Sequence, residues 1–424
     1  MGAFVDTLFN HLQAALGLAV IVGAAWAMSE NRRAFPLRTV VTGMAVQIAL
    51  ALLLLKVPPA RDALFALNGV VDALTEATKA GTSFVFGYAG GGASPFLVTK
   101  PQNLTSFAFQ ILPLVIVISA LSSLLWYWRV LPVIVNGFAW GLKKVMGIGG
   151  AVGLGSAATI FLGMIEAPLL IRPYLARLSR SELFMLFTVG LASVAGTVFV
   201  LYATIVQPVV PGALGHILVA SLLSLPAAIL IARVMIPDED GATEADAAPG
   251  FEYRSSMDAI ARGTEDGLKL WLSIVAMLLV IVALVALADI ILREAPLIGG
   301  TPLTVERIFG WIFAPVVWLF GIPWQDAATA GALMGDKTVL NEFVAYLNLA
   351  SLPAGALDPR SRLIMLYAMC GFANLGSVGI MIASVSAMVP ERRHEIVPLA
   401  LRALVSGTMA SGMTGAVIGL LPIG

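Results

Sequence analysis

Eight apolar stretches, each long enough to cross a bilayer as a helix, recur at roughly 11–28, 38–55, 107–128, 183–206, 213–236, 269–292, 361–385 and 396–422. Lipid offers the backbone no hydrogen-bond partner, so spanning segments fold as helices or closed barrels, and runs of this length without strict alternation predict helices. Charged residues are 12% of the 424, well under the share in a soluble domain, and the mean hydropathy is +0.94. The expected fold class is an all-α polytopic membrane protein with eight transmembrane helices, solvated by the lipid bilayer.

Composition also excludes several function classes. Net charge is zero and no basic block occurs, so nucleic acid is not an expected partner. One cysteine, Cys370, rules out an internal disulfide and a cysteine-based zinc site, and its apolar neighbours predict a packed small residue. No HExxH motif is present, and His11, His216 and His394 lie far apart. GALMGDKT at 331–338 interrupts a phosphate loop with Asp336 ahead of Lys337, which argues against an ATP-driven pump. No nucleophile–base pair is evident, so an enzyme is not expected.

Lysine and arginine set the orientation. With the N-terminus outside and each span crossing once, sixteen of them fall in inside loops and eight outside, with Lys337 at membrane depth. Both termini are then outside. The first span lacks a basic flank and reads as retained rather than as a cleaved signal peptide. Residues 58–90 and 129–146 are amphipathic and predict interfacial helices. Residues 237–268 are solvated and read as a flexible cytoplasmic linker closing in a short amphipathic helix. Residues 148–175 and 309–346 are apolar but broken by Gly, Pro and a carboxylate. Each returns to its side of entry on the charge count, which predicts two re-entrant hairpins entering from opposite faces.

An internal repeat supports that symmetry. RSELFMLFTVGLAS at 180–193 and RSRLIMLYAMCGFAN at 360–374 share one frame with a single inserted residue, and each follows an apolar segment carrying a glutamate, Glu166 or Glu342. Inverted repeats with Gly-broken helices are the usual mark of a secondary transporter.

A carboxylate at bilayer depth persists only with partners or a ligand. Glu342 stands in GDKTVLNEFVAY beside Asn341, with Lys337 five residues earlier. The alternative to a ligand role is a structural Lys337–Glu342 pair. Asn374 and Ser377 lie in GFANLGSVG, where glycines permit a broken helix facing the same cavity. Carboxylate, amide and hydroxyl together suit vicinal sugar hydroxyls. In the first repeat Glu166 follows Met164 and Ile165, whose alternative role is packing between helices. Thr159 and Ser193 either bond back to their own helices or, beside freed carbonyls, ligate a small hard cation.

At these residues the chain resembles the concentrative nucleoside transporter family over nearly its whole length, most strongly from 147 to 424. GDKTVLNEFVAY fits the family's specific G-x-K-x-x-x-N-E-F-x-A pattern, and EAPLLIRPYL, RSEL, GLASVAG and CGFANLGSVGI follow in the expected order. The resemblance implies a homotrimer in a bacterial inner membrane, each protomer with a scaffold part and an elevator-like transport part. The expected division is a scaffold of 1–128 with the helix 269–292, a first transport repeat at 129–236, the linker and interfacial helix at 237–268, and a second repeat at 300–424. Carried over by matched position, Glu342, Asn374 and Ser377, with Asn341 beside them, would bind ribose hydroxyls. Phe372 and Val198 would flank the base, with Met164, Ile165 and Glu166 on the base side. Sodium would take the Thr159 and Ser193 side chains and the carbonyls of Leu162 and Val194. Two departures stand out. Met164 and Ile165 replace the Gln and Thr or Ser that commonly read the base, and Thr159 stands where many sodium-coupled members have Asn. The expected function is a cation-driven nucleoside importer using sodium, with proton coupling through Glu166 or Glu342, or a passive small-solute channel, as the alternatives.

Overall fold

The computed structural model describes residues 2–99, 104, 106–237, 243 and 253–422, and within them the regular elements are helices. Seven are long and apolar enough to cross a membrane. They are α1 (Gly2–Ala27), α2 (Leu37–Lys56), α5 (Leu114–Tyr127) with the π turn Phe107–Ile111 before it, the pair α10 (Arg180–Ala192) and α11 (Gly196–Val206), α12 (Ala213–Met235), α13 (Ser256–Leu292) and α19 (Arg393–Leu420). The eighth expected crossing, 361–385, is in two pieces, α17 (Pro359–Ala368) and α18 (Leu375–Met388). It parts at Met369–Asn374, where a Cβ on Gly371 would stand 2.7 Å from the carbonyl oxygen of Ala192. That close approach of two backbones at the break leaves room only for glycine.

The amphipathic stretches are helical: α3 (Pro58–Ala66) and α4 (Asn68–Phe86) in the first, α6 (Val130–Met146) in the second. Two sequence boundaries need correction. Ser255 caps α13 by accepting from the Asp258 N–H at 3.1 Å, so residues 256–268 are the opening turns of a 37-residue helix rather than a short helix of their own. Gly263 and Gly267 pack that end closely on Ala120 and Ile116 of α5, which carries the helix through. Of the expected flexible linker ahead of that helix, the described residues are Pro237, Thr243, Tyr253, Arg254 and Ser255. In the second half, the helix–turn–helix does not begin at 309. Residues Val305–Trp318 form a separate helix, α14, ended by Gly321 at φ 92° and followed by α15 (Trp324–Gly335) behind Pro323. The two limbs are α15, extended by the π turn Asp336–Leu340, and α16 (Glu342–Ser351). In the first half the limbs are α7 (Gly150–Leu162) and the short α8 (Glu166–Leu170) and α9 (Arg172–Leu175).

Local chemistry explains where the broken helices start. Ser179 and Glu182 form a capping box at the head of α10, and Asp358 caps α17 with Pro359 in its first turn. The core is built on α10–α11, α12 and α19, whose apolar windows are 89%, 83% and 72% buried, against 0% for α13. The helices α1 and α2 pack on α19 and α12, while α5 and α13 pair with each other. Gln47 of α2 ties this side together, donating to the Leu223 carbonyl and the Thr414 hydroxyl, each at 3.2 Å.

At the end rich in arginine, Glu30 in the α1–α2 loop accepts from Arg180 at 2.9 and 3.1 Å and from Arg402 of α19. The Arg180 guanidinium, then the charge of Arg402, holds the Glu30 carboxyl below the usual carboxylate range. A carboxyl with a depressed folded pKa stabilises above its unfolded pKa and loses that stabilisation as pH falls through the folded value. Glu30→Gln should therefore lower the thermal midpoint of the detergent-purified protein at pH 7 by about one or two degrees, as expected for a partly exposed ion network. The gap should close in acid below pH 4.5, the ordinary value for the group. A gap that is unchanged across that range counts against the network.

Candidate functional site

The two helix breaks meet. Ser193 leaves α10 in extended conformation and Ala195 stays extended before α11 begins, while Met369–Asn374 separates α17 from α18. The N–H of Phe372 in one break donates to the carbonyl of Ser193 in the other at 3.2 Å. Backbone groups freed at that depth thus find protein partners. The turn of the first hairpin reaches the same place. Gly163 at φ 97° lies so close to Ala195 that a Cβ there would stand 2.9 Å from the Ala195 Cβ, and Gly196 is equally close to the Phe161 carbonyl oxygen.

Beside this junction is a cavity of about 220 Å³. All nine residues expected at a substrate site line it: Met164, Ile165, Glu166, Val198, Asn341, Glu342, Phe372, Asn374 and Ser377. They arrive from the first hairpin, α11, the second helix–turn–helix, the second break and α18. Both acids are the first residues of helices, Glu166 of α8 and Glu342 of α16. A helix N-terminus carries partial positive charge and favours an anion there.

Glu342 is buried, with each carboxylate oxygen held. Tyr202 of α11 donates to Oε1 at 2.7 Å, and the Asn374 amide donates to Oε2 at 3.0 Å. Both asparagines are helix caps: the Asn341 oxygen accepts from the Val344 N–H, and the Asn374 oxygen from the Ser377 N–H, each at 2.8 Å. What they chiefly offer a ligand is amide N–H, not the mixed donor and acceptor that composition suggested. Lys337 and Glu342 do not hydrogen-bond, although each charge is felt by the other. Fully buried Lys337 instead donates to the Ser411 hydroxyl of α19 at 3.2 Å, because the π turn points it toward α19 while Glu342 faces the cavity. Met164 serves two roles, lining the cavity and packing on α10, where a Cβ on Gly190 would stand 3.1 Å from the Met164 Cβ.

Of the residues expected at a sodium site, Leu162 lines the cavity and the other three are buried. Thr159 and Ser193 are buried, and each donates to the carbonyl four residues back, Gly155 at 2.8 Å and Val189 at 2.9 Å. Their protons point away into the helices, which leaves oxygen lone pairs for another partner. Leu162 lines the cavity and Val194 is buried in the break. Two neutral hydroxyls and carbonyls at freed backbone fit a hard monovalent cation, since no carboxylate belongs to the set.

Sequence reasoning missed one whole wall. Leu270, Ser273, Ile274, Met277 and Leu278 of α13 face the cavity, as do Tyr202 and Phe343. The signal was available: the α13 residues fall at i, i+3, i+4, i+7 and i+8, one face of a helix, with a serine in an apolar stripe.

Residues 216–419 match the family described as "Na+ dependent nucleoside transporter C-terminus", 16–89 its N-terminal counterpart, and 108–209 the family described as "Nucleoside recognition". Over 420 residues the chain is 34% identical to nucleoside permease NupC of Helicobacter pylori, covering 97% of this chain and 98% of that protein. It is 30% identical over 424 residues to sodium/nucleoside cotransporter 1 of Rattus norvegicus, covering 96% of this chain and 63% of that one. Its fold is similar to CNTnw in an inward-facing substrate-bound state, with a TM-score of 0.88, 34% identity and 97% of both chains covered. A CNTnw variant in an outward-facing state gives a TM-score of 0.90 at 32% identity, with 97% of both chains covered. These relatives are transporters, not enzymes. A cavity walled by both helix breaks and likeness along nearly the whole chain lead to one conclusion: this protein belongs to the concentrative, Na+-dependent nucleoside transporter family.

Proposed function

We propose that the protein is a secondary active nucleoside importer of a bacterial inner membrane, driven by a sodium gradient. The observation that carries this reading is the ionisable pair of oxygens on Glu342, oriented by Tyr202 and Asn374 and turned to a cavity that Phe372 and Val198 also line. In this reading Glu342, Asn341, Asn374 and Ser377 take the ribose hydroxyls. Phe372 and Val198 flank the base, and Met164, Ile165 and Glu166 face its edge. Sodium, bound by Thr159, Ser193 and the carbonyls of Leu162 and Val194, would bridge the first hairpin and the first helix break and so hold the site together while substrate is bound.

The succession α6, α7, α8–α9, broken α10–α11, α12 is matched by α14, α15, α16, broken α17–α18, α19. We read these as inverted repeats with two re-entrant hairpins, and the protein as a homotrimer with both termini outside. The expected scaffold of 1–128 includes α1 and α2, but because these pack on α12 and α19 we assign them instead to the part that would travel in an elevator movement, with α5 and α13 as the fixed wall. A proton could replace sodium, with Glu166 or Glu342 as carrier, and Thr159 in place of Asn is what keeps that alternative open. A passive channel would need neither paired breaks nor a buried carboxylate.

Three outcomes test the proposal. Glu342→Gln should abolish transport while the protein still inserts and assembles, because the lost charge-assisted hydrogen bonds are worth about 1.5–3 kcal/mol, roughly 10–150-fold in affinity. Near-parental uptake by this variant in proteoliposomes would remove Glu342 from the site.

For the ion, uptake in sodium should exceed uptake in choline at fixed pH. Equal uptake in both, with stimulation by acid outside, transfers the coupling to protons.

For the base, apolar contact from Met164 and Ile165 discriminates only about 10–200-fold, far less than a site built to hydrogen-bond. Met164→Gln with Ile165→Thr should sharpen selectivity among unlabelled uridine, cytidine, adenosine and inosine competing with one labelled nucleoside. A parent protein that already excludes all but one base by more than roughly a thousandfold contradicts the apolar-edge argument.

A further inference from the structure

The two oxygens of Glu342 are not equivalent, and the difference lies in Tyr202. The Asn374 amide that meets Oε2 has a second N–H, and Ser377 lies one turn along α18, so a ligand hydroxyl at that oxygen has further polar partners. At Oε1 the side-chain partner is the Tyr202 phenol. Tyr202 is 2% exposed, lines the cavity, and has its ring held against Tyr346 and Phe343 with centroids 5.0 and 6.1 Å away. Both neighbours belong to α16, the helix that carries Glu342, so the phenol and the carboxylate are positioned as one unit.

We propose that Tyr202 is a specificity-determining residue for one of the two ribose hydroxyls, fixing the Oε1 edge of Glu342 so that this oxygen receives a single ligand hydroxyl. The proposal rests on the reading of Glu342 as the ribose acceptor. A phenol has one proton, and beside an ionised carboxylate it must donate it. Each oxygen of Glu342 then has one side-chain donor, and the rotation of the carboxylate is locked by bonds to two different helices. A vicinal diol fits with one hydroxyl on each oxygen. The hydroxyl at Oε1 depends on Tyr202 for its orientation, and the hydroxyl at Oε2 depends on Asn374 and Ser377.

The test is calorimetric binding to the purified full-length protein, with uridine, 2′-deoxyuridine and 3′-deoxyuridine, and with the matching adenosine series. Tyr202→Phe keeps the ring and removes the hydroxyl. Affinity for the ribonucleoside should fall about tenfold, as expected when a charge-assisted bond is lost. One monodeoxy analogue, the one lacking the hydroxyl that meets Oε1, should fall less than threefold, while the other falls with the parent nucleoside. Tyr346→Phe serves as the comparison, since its hydroxyl donates to the Leu366 carbonyl at 3.0 Å and does not touch Glu342. Any loss it causes should be the same for all three ligands. Equal losses for all three in Tyr202→Phe, or no loss at all, overturn the proposal by reducing Tyr202 to packing. Should that variant fail to fold, the parent protein decides. Its penalties for removing the 2′ and the 3′ hydroxyl should differ, and equal penalties overturn the proposal while leaving the nucleoside site itself standing. A parent that binds no nucleoside in either series overturns both readings.

Discussion

Glu342 is buried among apolar side chains, where an ionised carboxylate costs several kcal/mol unless hydrogen bonds compensate. The compensation comes from two different helices, Tyr202 on α11 and Asn374 at the head of α18. Each of these is the second half of a broken helix, and Glu342 itself opens α16. One side chain therefore joins three elements that are distant in sequence. The same bonds that make the carboxylate tolerable also aim it at the cavity, so the energetic requirement and the binding geometry have a common solution.

The breaks that make this possible are themselves costly. An interrupted helix at membrane depth frees backbone groups, and those groups must be satisfied within the protein. Ser193 and Phe372 satisfy one another across the junction, and Gly371 permits the approach. The hairpin turn at Gly163 presses on the same junction from the other side. In this arrangement α13 supplies a wall from outside the buried core, and a cavity bounded partly by the core and partly by a peripheral helix can change shape when the two slide.

Much of the site could be read before any coordinates. The spacing of Asn341 and Glu342 after Lys337, and of Asn374 and Ser377 among glycines, was enough to collect the residues that line the cavity. What could not be read was their division of labour. Asn374 reads as a sugar ligand from its chemistry, yet its oxygen caps α18 and its nitrogen serves Glu342. A Lys337–Glu342 pair five residues apart was the alternative to a ligand role for Glu342, but across the π turn the lysine bonds to Ser411 instead. A π turn shifts register by about one residue, and nothing in GDKTVL announces it.

Sequence alone determined the class of solvent, the helical fold, the number of long apolar segments to within one, and the residue types at the site. Each of these follows from local quantities: hydropathy over about 20 residues, the freedom of glycine, and the high cost of a carboxylate in lipid. The eighth segment counts as one span by hydropathy even though its glycines permit a break, because an apolar stretch of 25 residues has the same hydropathy whether it runs straight or breaks at Gly371. Only the tertiary structure decided how that break packs on Ala192, the start of the second helix–turn–helix at α15, the extension of α13 back to Ser256, and the partnership of Tyr202 with Glu342. The packing of the break and the Tyr202–Glu342 partnership depend on contacts between residues more than a hundred positions apart, as with the 140 that separate Tyr202 from Glu342, and such contacts leave no periodic signal in the chain.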